Sequence, residues 1–233
     1  MNIKGAWAAC LVAGLAVLLL SVAILPMFPK EMATPNGVDA PVIAFEFART
    51  QADVIAVFGE ASDPLRSGRI ASMDQGNRWD FAYMAFYSAF IALFFYSVYL
   101  KNRQSIWLVF AAVGILAGVA DAIENIILFA ITADLDAANG LQWLAYPVHV
   151  KFLSLYVCVF GVGYFLKDNS RKLVRVFALL LQMLAPIAVV LTASGLASAA
   201  TLIITLAWLS QLVIALIKYR ETRQTPALNE EGI

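Results

Sequence analysis

Long apolar stretches separated by short polar segments occupy most of the chain. Several reach the roughly 20 residues with which a helix crosses about 30 Å of hydrocarbon. They cover residues 5–28, 79–100, 106–132, 141–166, 173–193 and 197–218. The last two come from one run divided by small residues and glycine at 192–195, where a tight turn is favoured. The pattern predicts an all-α polytopic membrane bundle of six spans, with five as the fallback.

The same pattern divides the chain into four parts. Residues 1–28 are the first span, 29–78 a segment outside the membrane, 79–218 a five-helix bundle and 219–233 a tail. The first apolar run is longer than that of a typical signal peptide and has no clear small-x-small cleavage site. We therefore expect a retained helix.

Composition and charge placement agree with this architecture. The chain has 233 residues, of which 62% are hydrophobic and 14% charged, against about a quarter charged in soluble domains. The short loops 133–140 and 193–196 contain neither lysine nor arginine. Basic residues lie in the segments at the other side: Lys4, Lys101, Arg103, Lys167, Arg171, Lys172, Arg175, Lys218, Arg220 and Arg223. By the positive-inside rule, both termini are expected in the cytoplasm.

The segment 29–78 is too small for an ordinary independent core. Its residues 43–49 alternate bulky with small or polar side chains, which favours a short strand or extended segment. Thr50 with Asp53 predicts the start of a helix that ends at Gly59. A second start at 62–64 predicts a short helix to about residue 72. We expect a cap on the outer helix ends; a lid, a docking surface or insertion of its phenylalanines into lipid are the alternatives.

Two acids and an amide interrupt the third span. Asp121, Glu124 and Asn125 are spaced i, i+3 and i+4, which places them on one helix face. A charge near the bilayer centre costs a few kcal/mol, so such residues usually face a protein interior or a partner. Gly114 and Gly118 lie on nearly the same stripe, where small residues let another helix approach closely. This face is the best sequence indication of a buried polar site.

Other polar residues are predicted at similar depth in the outer half of the membrane. Lys151 in the fourth span lies close to the depth of Asp121, and Asp80 with Tyr87 lies on one face of the second span. The predicted ligand-binding set is Asp80, Tyr87, Asp121, Glu124, Asn125 and Lys151. Glu46, Tyr83 and His149 are accessory candidates. The alternative is a salt bridge that only fixes the register of the helices.

Charge counting favours more than one salt bridge. Asp80, Asp121 and Glu124 face a single lysine, and burial favours the neutral form of a carboxyl group. Surplus acid must be protonated, hydrated or matched by an external cation. The leading hypothesis is therefore binding or transport of a cation, a proton-linked solute or an amine-bearing lipid. A non-catalytic accessory subunit of a membrane complex is the alternative, and a membrane-embedded hydrolase is third.

Several other functions lack their sequence motifs. The chain has one histidine and two cysteines, and it contains no zinc-binding HExxH or CxxC motif and no phosphate-binding glycine loop. No metal or cofactor is therefore expected. Net charge is zero without a basic stripe outside the cytoplasmic loops, which argues against nucleic-acid binding. The expected partners are the lipid bilayer, a small cation or lipid ligand, and a membrane-complex partner.

Residues 43–152 resemble a type of small bacterial multi-pass membrane protein with no assigned activity. The resemblance lies in residues 45–50, Asp80 with Tyr87, residues 121–125, and Lys151-Phe152. It implies a location in the bacterial inner (plasma) membrane and no particular function.

Overall fold

The computed structural model describes residues 1–35, 40–167, 171–193 and 196–224. Within these ranges the chain is all-helical, with 84% helix and no strands. The helices are α1 (Ile3–Ile24), α2 (Pro41–Glu46), α3 (Gln51–Phe58), α4 (Arg66–Asn102), α5 (Ile106–Ala133), α6 (Leu141–Leu166), α7 (Lys172–Ala193) and α8 (Ala197–Gln224). A short 3₁₀ turn, Leu25–Met27, extends α1.

Six of these helices, α1 and α4 to α8, are long and apolar enough to cross a membrane. The six-span prediction is therefore confirmed, and the chain is a multi-pass α-helical membrane protein. The fifth and sixth spans are separate helices as expected. Ser194 and Gly195 of the predicted turn between them, and residues 225–233 of the predicted tail, lie outside the described residues.

The spanning helices pack in sequence order around a ring. Each contacts the next, and α8 returns to pack against α1. Trp7 of α1 packs edge-to-face on Phe94 of α4, while Ser21 lies beside Tyr83, so these two helices are antiparallel. We call the end that carries α2 and α3 the cap end. The opposite end, which carries Lys101 and both described chain ends, is the basic end.

The glycines of α5 mark its closest approach to α4. A Cβ added at Gly118 would lie 2.9 Å from Ser88 Cβ and 3.4 Å from the Met84 carbonyl oxygen. At Gly114 an added Cβ would lie 3.0 Å from Ile91 Cβ. The predicted small-residue stripe therefore does bring a neighbouring helix close, and that helix is α4.

The predicted strand at 43–49 is wrong, because this stretch contains helix α2 and the turn after it. Pro41 occupies the first turn, where its fixed φ suits a helix. Pro41, Ala44 and Phe45 are spaced i, i+3 and i+4 and form the buried face. The two patterns share only the buried Phe45, and over so few residues the alternation did not distinguish a strand from a helical turn.

The predicted start and end of α3 are confirmed. The Thr50 side chain accepts a hydrogen bond from the backbone of Asp53, and the Asp53 carboxylate accepts one from the backbone of Thr50. Burial raises the pKa of Asp53, but the hydrogen bonds from Arg49 and Thr50 outweigh it and lower the pKa overall. Gly59 follows the helix with φ of 98°, a conformation that favours glycine.

The predicted short helix that ends near residue 72 is not a separate element. Helix α4 starts at Arg66 and continues through this region into the second span. No proline interrupts residues 66–102, and its two glycines, at 68 and 76, are tolerated inside a helix. Gly76 instead provides room for the ring of Phe28, which joins the end of α1 to the side of α4.

The cap packs on itself and on the loop between α5 and α6. Phe45 and Phe58 are fully buried and meet edge-to-face at 4.8 Å, so these two rings are core residues and do not insert into lipid. Gln51 donates a hydrogen bond to the Asp136 carbonyl oxygen at 2.8 Å, and Arg66 pairs with the Asp136 carboxylate at 3.2 Å. The cap therefore lies across the ends of the bundle.

The charge pattern predicts which side each end of the bundle faces. A cysteine placed at the exposed Asn139 should react with an impermeant maleimide only from outside the cell, and one at the exposed Asn102 only from the cytoplasm. Buried Cys10 and Cys158 should be replaced first. Labelling at Asn139 from the cytoplasmic side alone would reverse the predicted orientation.

The α4–α5 contact predicts opposite effects for two glycine substitutions. Gly118→Ala should lower the free energy of unfolding by about 1–3 kcal/mol because its methyl group overpacks the contact. Gly68→Ala in α4 should leave stability unchanged or raise it, since nothing lies within 4 Å of its added Cβ. Thermal unfolding in detergent measures both, and equal effects would contradict the close contact.

Candidate functional site

Lys151 is the centre of a buried ionic cluster. It lies on α6 and is 5% exposed. Its Nζ is 2.8 Å from Glu124 Oε2, 3.2 Å from Asp121 Oδ1 and 3.2 Å from Glu46 Oε2. It also donates a hydrogen bond to Glu124 Oε1 at 2.9 Å. One ammonium group of α6 is thus held between three carboxyl groups, one from α2 and two from α5.

Each helix contributes through its local geometry. Asp121 and Glu124 lie three residues apart on α5, so both face α6 from adjacent turns. Glu46 is the last residue of α2, and the cap positions it above the membrane-spanning pair. Burial raises the pKa of Glu46; Lys151 opposes this shift, Asp121 adds to it, and the net direction is upward. The cap therefore supplies a carboxyl group that is easier to protonate than usual.

Three hydrogen bonds extend the cluster to α4. Tyr87 donates its hydroxyl to Asp121 Oδ2 at 2.7 Å. Asn125 donates from Nδ2 to Asp80 Oδ2 at 2.9 Å and to the Asn77 carbonyl oxygen at 3.3 Å. The six residues of the predicted ligand-binding set therefore lie in one polar network of two parts. Tyr87, Asp121, Glu124 and Lys151 are directly linked, and Asp80 is hydrogen-bonded to Asn125 beside them.

The accessory candidates have different positions. Glu46 belongs to the ionic cluster. Tyr83 lies beside it, with its ring 5.6 Å from that of Tyr87. His149 is exposed; its Nδ1 contacts the Ala145 carbonyl oxygen at 2.5 Å, and its ring faces Phe47. His149 lies on the opposite side of α6 from Lys151, so it is not part of the network.

Sequence reasoning underestimated Glu46 and did not include Asn77 and Trp208. Trp208 comes from the middle of α8, the last span, and stacks on Tyr87 with ring centroids 5.3 Å apart. Asn77 is 1% exposed, and no atom of the described residues accepts a hydrogen bond from its Nδ2. Two of these residues could have been noticed in the sequence: Trp208 lies far from any span end, and Glu46 lies between two phenylalanines.

A cavity of about 450 Å³ lies beside this network, between α1, α4 and α8 and below α2. It extends from Ser21 and Asn77 near the cap end to Gly14 and Phe90 deeper in the bundle. Its polar lining residues are Ser21, Glu46, Asn77, Asp80, Tyr83 and Thr205. The remaining lining residues are apolar or aromatic: Gly14, Val17, Leu18, Ile24, Leu25, Phe28, Val42, Phe90, Trp208, Leu209 and Leu212.

Comparisons with known proteins add no family to this description: no family model, curated protein or solved structure matches the chain. Within the described part of the chain, no group of three histidine, cysteine, aspartate or glutamate side chains is arranged to hold a metal ion. The site itself combines surplus carboxyl groups with an amphipathic cavity.

Removal of the central cation should destabilise the protein strongly. Lys151→Met should lower the free energy of unfolding by about 3–5 kcal/mol, because it leaves carboxylates buried without their partner. Adding Glu124→Gln should recover part of the loss, since the double variant removes both charges of the shortest pair. Unfolding in detergent gives the coupling energy.

The matched control is Lys218→Met. This lysine pairs with Glu221 at 2.8 Å, with the two side chains 24% and 52% exposed, and exposed pairs contribute only about 0–1 kcal/mol. Strict additivity of Lys151→Met and Glu124→Gln would contradict direct coupling.

Proposed function

We propose that this protein binds an amine-bearing, cationic amphiphile in the cavity beside Lys151, in the bacterial inner membrane. The observation that carries the proposal is that Glu46 and Asp80 line a cavity whose other walls are largely apolar. A cationic headgroup would lie at these two carboxyl groups, and its hydrocarbon chain would extend between α1, α4 and α8.

The charge of the network supports a cationic headgroup. Four carboxyl groups, those of Glu46, Asp80, Asp121 and Glu124, lie around one lysine. Lys151 contacts three of them directly, whereas Asp80 has Asn125, a neutral amide, as its hydrogen-bond donor. A buried carboxylate without a cation is costly. A ligand ammonium at Asp80 and Glu46 would reduce that cost.

The shape of the cavity favours an amphiphile over a bare cation. An inorganic cation needs several oxygen ligands at short distance, whereas this cavity is long and lined mainly by hydrocarbon. Its volume falls within the roughly 300–1,000 Å³ of ordinary ligand pockets. The rings of Tyr83 and Trp208 border it, and aromatic faces attract ammonium groups.

Asn77 indicates a further property of the ligand. Its buried Nδ2 lacks an acceptor among the described residues, and a buried donor without a partner is unfavourable. A ligand oxygen close to the amine, as in an amino-alcohol headgroup, would accept this hydrogen bond. The network would then recognise the amine through its carboxyl groups and the neighbouring oxygen through Asn77.

The proposal is tested with dodecylamine as the probe and purified protein in nonionic detergent. We expect saturable binding of dodecylamine, followed by a change in tryptophan fluorescence that Trp208→Phe removes, and none of dodecanol or dodecanoate. Asp80→Asn should weaken binding by about tenfold, or about 1.4 kcal/mol. Asp74→Asn is the matched control: it removes the same charge from the same helix at a residue that does not line the cavity.

The affinity for dodecylamine should increase with pH. The pKa of Glu46 is raised, so this carboxyl group is partly neutral at low pH and ionises as the pH rises. The amine, like that of lysine, stays cationic from about pH 5 to 8, so attraction grows across this range. Lys151, Asp121 and Glu124 face Glu46 and act on the same equilibrium.

Two results together would overturn the proposal: an affinity that is constant over this pH range, and Asp80→Asn binding dodecylamine as tightly as the unaltered protein. They would favour the accessory-subunit alternative, in which the network only holds helices together and the cap contacts a larger complex.

A further inference from the structure

A second cavity, of about 1000 Å³, lies at the basic end of the bundle. It is bounded by the last turns of α4 and α6 and by α7 and α8. Lys101 lies 21 residues after Asp80 on α4, which corresponds to roughly 31 Å along the helix. This cavity is therefore a separate site, although Leu209 of α8 lines both.

The charge of the second cavity is opposite to that of the first. Among the described residues that line it, Lys101, Arg171 and Lys218 are basic and Glu221 is acidic. Glu221 pairs with Lys218 at 2.8 Å. Even with this pair formed, Lys101 of α4 adds a positive charge to the described part of the lining.

The deeper walls of the second cavity are hydrocarbon. Phe165, Val174, Phe177, Val213 and Ile217 line it below the basic residues. A free anion would contact the basic residues and leave these walls without a partner. A molecule with an anionic headgroup and acyl chains would contact both parts, and basic pockets between spanning helices have this chemistry in lipid recognition.

We propose that this basic-end cavity binds an anionic phospholipid. Its phosphate group lies between Lys101 and Lys218, and an acyl chain follows α7 and α8. The site is independent of the amine site at the cap end, because the two cavities use different charged residues and lie at opposite ends of the bundle.

The experiment measures lipid binding to the purified full-length chain by native mass spectrometry. The probes are phosphatidylglycerol, phosphatidylcholine with the same acyl chains, and inorganic phosphate. We expect phosphatidylglycerol to bind at least about fivefold more tightly than phosphatidylcholine, and inorganic phosphate not to displace it. Equal affinity for the two lipids, or full displacement by phosphate at equal concentration, would overturn the proposal.

Variants locate the site. Lys101→Gln combined with Lys218→Gln should weaken phosphatidylglycerol binding by at least about fivefold, whereas the charge-preserving pair Lys101→Arg and Lys218→Arg should retain it. Lys4→Gln is the matched control, because Lys4 lies at the same end but does not line the cavity. A loss with Lys4→Gln as large as with the double variant would show only general surface attraction and would contradict a site.

Discussion

The arrangement of the bundle depends on one electrostatic constraint: Lys151 carries its amine into the protein interior, where it needs carboxylate partners. Asp121 and Glu124 meet it from α5, and Glu46 meets it from the cap. Because a buried charge without a partner costs several kcal/mol, this requirement fixes the register of α6 against α5 and the position of α2 above both. A segment outside the membrane is thereby tied to the core of the bundle.

The close packing of α4 on α5 makes the network possible. Gly114 and Gly118 let α4 approach closely enough for Tyr87 and Asp80 to hydrogen-bond with groups on α5. The close contact with α4 and the polar side chains thus lie on the same face of α5. The side of α4 that faces α8 is less filled, and the cavity at the cap end lies there.

The two cavities give the molecule an opposite chemistry at each end. The charged residues that line the cavity under the cap are acidic, and those that line the cavity at the other end are mostly basic. In both, a few charged groups line a cavity whose other walls are largely apolar, an arrangement suited to amphiphiles. The proposed cationic and anionic ligands follow from this difference in charge on a common hydrocarbon scaffold.

Sequence alone determined the six spans, because roughly 20 apolar residues have few stable alternatives to a membrane helix. It also predicted a buried polar site at Asp121 and Glu124, with Lys151 at a similar depth, because charge is costly in the bilayer interior. It placed the start of α3 through its capping residues. It did not determine the conformation of residues 43–49, which are too few to distinguish the helical from the alternating period. Only tertiary structure decided that Glu46 reaches Lys151, that His149 faces away, and that Trp208 stacks on Tyr87. These outcomes depend on how distant segments pack, and neither local spacing nor hydropathy encodes that packing.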